Sequence, residues 1–160
     1  MLSIRKSTGA AQRGLARAAT AAAATMALLA GGAGVALAAD AHFVAEATEA
    51  AWDGSVATVS FREVDVAVES NTTVISVKVT VDVSVVCTRG QSTLTIRKSA
   101  TILEVAEYPI GDDGTVVGTA KLPLEVKGLQ VPGYTCVTRH LSITAVLEDF
   151  WTGATLVHKA

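Results

Sequence analysis

Residues 74–87 read VISVKVTVDVSVVC, in which every second residue is apolar for fourteen positions. Successive side chains of a strand point to opposite faces, so this run dictates a β-strand. Ile75, Val77, Val79, Val81, Val83, Val85 and Cys87 fall on its core face, and Ser76, Lys78, Thr80, Asp82 and Ser84 on its wet face. A sheet that is wet on one side is antiparallel and needs a second layer over the other side. The run exceeds a typical strand, which makes it a scaffold strand spanning the domain and anchored at its end by a cysteine.

The same period recurs further along. In residues 115–127, Val116, Ala120, Leu122, Leu124 and Val126 oppose Thr119, Lys121, Glu125 and Lys127, and in residues 140–149 Leu141, Ile143, Ala145 and Leu147 share a side. Within residues 56–69 the phase slips from the odd Val59 and Phe61 to the even Val64, Val66 and Val68, which predicts a bulge or bend near Arg62-Glu63. Turn chemistry separates these runs. Asp53-Gly54 reads as a type I′ hairpin turn between residues 46–52 and 55–61. Asn71-Thr72, Arg89-Gly90-Gln91, Gly111-Asp112-Asp113-Gly114, Pro132-Gly133 and Thr152-Gly153 punctuate the rest. The expected fold is all-β: a two-layer antiparallel immunoglobulin-like β-sandwich of seven to eight strands.

What precedes the sandwich fixes the compartment. Arg5, Lys6, Arg13 and Arg17 are followed by an uncharged stretch rich in small apolar residues and by Ala36-Leu37-Ala38, the pattern of a secretory signal peptide. Cleavage is expected after Ala38 or Ala39, leaving residues 1–39 as the signal peptide and 40–160 as one domain. No later segment reads as a membrane span, and no lipobox cysteine follows the signal, so the expected product is secreted to the medium or envelope. The remaining chain carries nine basic against fifteen acidic residues, a net charge of −6 with His neutral. A negative field disfavours nucleic acid and anionic membranes as partners. In an oxidising space the two cysteines, Cys87 and Cys136, are expected to form a disulfide, since they lack the C-x-x-C spacing of redox sites and the four ligands of structural zinc.

Several segments together resemble a group of small secreted β-sandwich proteins from actinobacteria. They are His42-Phe43 after the cleavage site, VSFRE at 59–63, the strand ending in Cys87, GTVVG at 114–118, Tyr134-Thr135-Cys136, and Asp149 followed by TGATL at 152–156. The group has no assigned activity, so the resemblance implies export and a sandwich. Residues 88–100 depart from it, being charged and strand-like where a Gly/Asn/Pro-rich loop is expected.

No catalytic constellation emerges. His42, His140 and His158 lie in no recognisable motif, there is no G-x-S-x-G elbow, and His140 falls on the wet side of its strand. Glu104 with Glu107, or Glu148 with Asp149, supply acid pairs of the kind glycosidases use, and Asp112-Asp113-Gly114 supplies oxygen ligands without the rest of a calcium loop; each reads more simply as solvated strand or turn. No enzyme activity, cofactor or metal is expected. Trp52, Tyr134 and the pair Phe150-Trp151 all abut turns, as plugs of the sandwich ends or as platforms for a sugar or protein partner. Residues 127–135 form the longest irregular segment. Pro132-Gly133 suits a type II turn and Cys136 clamps the exit, so Leu129, Pro132, Gly133 and Tyr134 are the candidate binding loop. The expected role is extracellular binding or structure, with a protein or carbohydrate partner; the alternative is inhibition of a protease or other hydrolase through that loop.

Overall fold

A computed structural model describes residues 40–160; the expected signal peptide, residues 1–39, lies outside the described residues. Eight strands follow one another: β1 His42–Phe43, β2 Glu49–Trp52, β3 Val56–Val64, β4 Thr72–Arg89, β5 Ser92–Pro109, β6 Val116–Pro123, β7 Thr135–Asp149 and β8 Thr155–Lys159. All pairings are antiparallel. In the first sheet β3 is central, with β1 and β2 end to end along one edge and β6 along the other. The second sheet has the order β5-β4-β7-β8. Ala57, Val59, Phe61, Val116, Ala120 and Leu122 of the first sheet share one core with the inner faces of β4 and β7. The protein is a two-layer antiparallel sandwich.

The opening run lies wholly inside β4, and its seven core-face residues are all buried. The strand is paired along both sides, to β5 from Thr72↔Pro109 through Arg89↔Ser92 and to β7 from Ile75↔Asp149 through Thr88↔Thr135. A central strand with one wet face needs this strict alternation, because a slip of one residue would turn every valine to water. Cys87 and Cys136 are bonded and stand directly opposite each other on β4 and β7. The bridge therefore clips neighbours within one sheet. A bulge makes this geometry possible: Ser84 pairs His140 but Val85 pairs Thr138, so Arg139 is an extra residue. Without it the even-numbered Cys136 would share the outer face of β7, away from Leu141 and Ile143.

Four expectations are corrected in detail. The slip in residues 56–69 is not at Arg62-Glu63: β3 keeps its odd phase through a buried Glu63, and the change comes at Asp65, whose φ of 59° reverses the chain after the strand has ended. Asp is one of the few side chains that tolerates this left-handed conformation. The β2–β3 turn is centred on Gly54-Ser55, one residue later than expected, with positive φ at Gly54 alone, the arrangement of a II′ rather than a I′ turn. Asp53 closes it from outside by accepting hydrogen bonds from the Ser55 and Val56 amides, both 2.8 Å. Residues 46–48 do not extend β2, since Ala45–Ala47 form a 3-10 turn. Finally, the strand expected over 115–127 stops at Pro123, although Leu124 still enters the core.

Candidate functional site

Two ends of the sandwich collect the residues that carry chemistry. At one end β3 delivers Glu63 and β7 delivers Asp149, both fully buried. Glu63 shares the inner parity of Val59 and Phe61, so the strand that fills the core also carries a carboxyl into it. Thr73 donates its hydroxyl to Asp149 Oδ2 at 2.6 Å, and the amides of Trp151 and Thr152 donate to Oδ1 at 2.7 and 3.1 Å. The Thr152 hydroxyl donates to Glu63 Oε1 at 3.0 Å and accepts from the Ala154 amide. Glu63 Oε2 is buried without a hydrogen-bond partner among the described residues. Burial first, and then the charge of Asp149, push the Glu63 carboxyl up to about 8. A carboxylic acid held beside a carboxylate resembles the acid–base pairs of hydrolases. Here both groups are sealed from solvent, and their hydrogen bonds tie the two sheets and the β7–β8 turn together.

That turn carries the most exposed aromatics of the described chain. Phe150 is 55% and Trp151 65% exposed. The backbone beneath them is fixed: Asp149 holds the Trp151 and Thr152 amides with its side chain, the Phe150 amide donates to Val74 O, and the Gly153 amide donates to Asp149 O. Gly153, with φ of 75°, supplies the left-handed step that closes the turn.

At the other end the second sheet is closed by chain rather than by strands. Residues 124–134 run along the tip of the β4–β5 hairpin: a Cβ on Gly128 would lie 3.5 Å from the Lys98 side chain, and one on Gly133 3.7 Å from Arg89. Leu129, Val131 and Tyr134 are half-buried against the core, while Pro132 and Gly133 are exposed. The Tyr134 amide donates to Val131 O at 3.1 Å and Gly133 has φ of 78°, a turn with Pro and Gly in its central positions. Leu141, on the inner face of β7, remains 42% exposed at this end.

The remaining sequence candidates are dispersed. Glu148 and Asp149, as consecutive strand residues, point to opposite faces, and so do Glu104 and Glu107. Asp113 accepts the Thr115 amide at 3.0 Å, and such backbone donors lower its pKa, as they do that of Asp53. His42 Nδ1–H donates to Asp40 O and lies 4.0 Å from Asp65 in an exposed pair, and His158 is half-buried opposite Ala145. His140 stands opposite Ser84 on the outer face, where Asp82, Arg97 and Ser99 join it around an open hollow of about 400 Å³. Serine, histidine and aspartate meet there, but among the described residues no hydrogen bond links the three into a relay. Trp52 is a plug: its indole N–H donates to Leu124 O at 2.7 Å, pinning the β2–β3 hairpin to the end of β6.

The acid end is hidden in the sequence for a definable reason: Glu63 breaks an apolar pattern, while its odd parity, shared with Val59 and Phe61, places it inside. A scan against protein-family models and searches of curated proteins and of solved structures find no match for this chain.

Proposed function

We propose that the chain is exported and acts outside the cell as a non-enzymatic β-sandwich of immunoglobulin-like topology, binding a protein or carbohydrate through the turn that presents Phe150 and Trp151. The observation that carries the binding role is the pairing of exposure with rigidity: two large aromatics in water on a backbone locked by a buried carboxyl. Aromatic anchors held in place before contact lose little entropy on binding and dominate interface energetics. The topology is supported by strand order. β2-β3-β6 facing β5-β4-β7-β8 corresponds to strands A-B-E facing C′-C-F-G, and Tyr134 sits two residues before the cysteine of the F-equivalent strand. The bridge differs from the immunoglobulin one, which joins B to F across the sheets. Export and kinship with small secreted actinobacterial proteins rest on the leader and on the quoted segments.

Two measurements test this. The intact mass of the product recovered from medium should correspond to a chain starting at residue 39 or 40; an unprocessed chain inside the cell refutes export. Capture of isolated envelope polysaccharide and of secreted proteins should be lost in F150A/W151A while its melting temperature stays that of the parent. Undiminished capture refutes the turn as the site. The second reading, hydrolase inhibition through residues 127–135, is favoured by the exposed tip Pro132-Gly133 and requires slowed turnover by a secreted protease or glycosidase in a small panel.

A further inference from the structure

We infer that β5 is the docking edge for a second copy of this chain, which pairs with it antiparallel to make a closed two-fold dimer. This goes beyond the aromatic turn, which lies on a different strand connection and needs no dimer. β5 is 18 residues long and is hydrogen-bonded to β4 on one side only; among the described residues no strand pairs its other side. The remaining edge strands are brief: β8 has 5 residues, β1 and β2 have 2 and 4, and β6 has 8 and ends in proline. Short edges and proline guard against strand addition, and β5 has neither before Pro109; its guard is charge, with Lys98 and Glu104 on the inner face opposite Val83 and Val77. Leu103 and Val105 stand 59% and 51% exposed on its outer face.

The charges of β5 select the partner. Arg97 and Lys98 lie in its first half, Glu104 and Glu107 in its second. A two-fold axis at Thr101 sets Lys98 opposite Glu104, with Arg97 diagonal to Glu107; an axis at Ile102 sets Arg97 opposite Glu107, with Lys98 diagonal to Glu104. Both registers keep inner face with inner face, as a shared sheet requires. Opposite charges across a strand pair attract, and like charges directly opposite repel, so a parallel copy in register is disfavoured. The charges of β5 thus complement an antiparallel copy of itself. Such an interface is isologous and closes at two copies.

The test uses protein expressed from the full-length sequence and followed by sedimentation over a range of concentrations. The parent should dimerise, with an affinity that falls as salt rises. R97E/K98E and E104K/E107K should each weaken self-association by about a hundredfold or more, and an equimolar mixture of the two should restore a one-to-one dimer. A parent that stays monomeric to about 1 mM, variants that self-associate like the parent, or a mixture that fails to pair overturns the proposal. Should either variant fail to melt cooperatively, amide exchange of the parent decides: β5 amides slowed at high concentration support the edge, and concentration-independent exchange overturns it.

Discussion

The two ends of the sandwich solve one problem by different chemistry. At the acid end, Glu63 from one sheet and Thr73 and Asp149 from the other meet in a sealed hydrogen-bonded group through Thr152, and the aromatics Phe150 and Trp151 are left in water. At the cysteine end, β4 and β7 are clipped by Cys87–Cys136, residues 124–134 lie over the end of the second sheet, and the aromatic Tyr134 packs against the core. A polar group buried between sheets fixes direction and register because each donor must find its acceptor. A covalent clip needs no such match and acts chiefly on the unfolded chain. The acid end is therefore the rigid one, fit to present a surface, and the cysteine end is the one whose stability is conditional on redox state.

Removing the clip gives the largest expected effect. For a separation of 49 positions the loop-entropy argument assigns the bridge up to about 4 kcal/mol. C87A/C136A should melt roughly 10–20 °C below the parent, and its amide exchange should quicken first in residues 83–89 and 135–141. Exchange that quickens equally around Glu63 and Asp149 would mean that the two ends are one cooperative unit, and the contrast between them would fall.

The next effect belongs to the acid end and depends on pH. Glu63 is raised from 4.5 to about 8 by burial and by the charge of Asp149, so the folded chain holds a proton that the unfolded chain releases between those values. Its contribution is complete below about pH 4.5 and is lost as pH rises through about 8. Melting temperature should fall across that window by the equivalent of at most a few kcal/mol. In Glu63→Gln the amide stays neutral and still accepts from Thr152, so this fall should vanish and the protein should be more stable than the parent at pH 8. Parallel pH profiles for parent and variant would remove Glu63 from the account.

Part of this was legible in the sequence and part was not, for physical reasons. Strict alternation in β4 specified its buried face because a central strand has no freedom of register. The bridge followed from the expected compartment and the even cysteine count, but its place within one sheet depended on the bulge at Arg139. The signal for that bulge was present: Cys136 is even while Leu141, Ile143 and Ala145 are odd. The phase change at Asp65 was legible as a slip between Phe61 and Val66 but not at its residue, because Glu63 interrupts the apolar pattern two residues before the left-handed step. β5 was the least legible strand. Its half-buried face runs Ala100, Ile102, Glu104, Ala106 and Tyr108, but Leu103 and Val105 stand on the exposed face and Glu104 on the inner one, so the sequence does not mark which side is covered.

Glycine in a strand interior offers a smaller test, on the body of the first sheet. A Cβ on Gly118 would collide with Phe61 Cζ and stand 2.8 Å from Tyr108 Cε1, and those rings pack edge to face at 5.1 Å. Gly118→Ala must displace Phe61, which also packs on Phe43, and should cost about 1–3 kcal/mol. Since Glu63 follows Phe61 on the same face of β3, the loss should be accompanied by a shifted pH profile. A loss of stability with an unchanged profile would show that the acid group does not depend on the ring packing beside it.

The smallest effects separate the aromatics of the two ends. Tyr134 is half-buried against the core at the cysteine end, so Tyr134→Ala removes packing from a partly filled site and should cost about 1–2 kcal/mol, less than a fully buried aromatic would. Trp151 is 65% exposed, and its backbone amide, which the substitution keeps, makes the bond to Asp149. Trp151→Ala should therefore change stability by less than about 0.5 kcal/mol, as surface substitutions do. The contrast has a physical root: the turn at the acid end is held from below by a carboxyl and needs no aromatic cover, whereas the loop at the cysteine end is tied at Leu124 and at Cys136 and between them rests on the packing of Leu129, Val131 and Tyr134. Melting curves of both variants decide it. If Trp151→Ala destabilises as much as Tyr134→Ala, the indole is part of the core's closure and the acid end presents nothing; if neither does, Tyr134 is free to serve a partner and the loop of residues 127–135 becomes the better site.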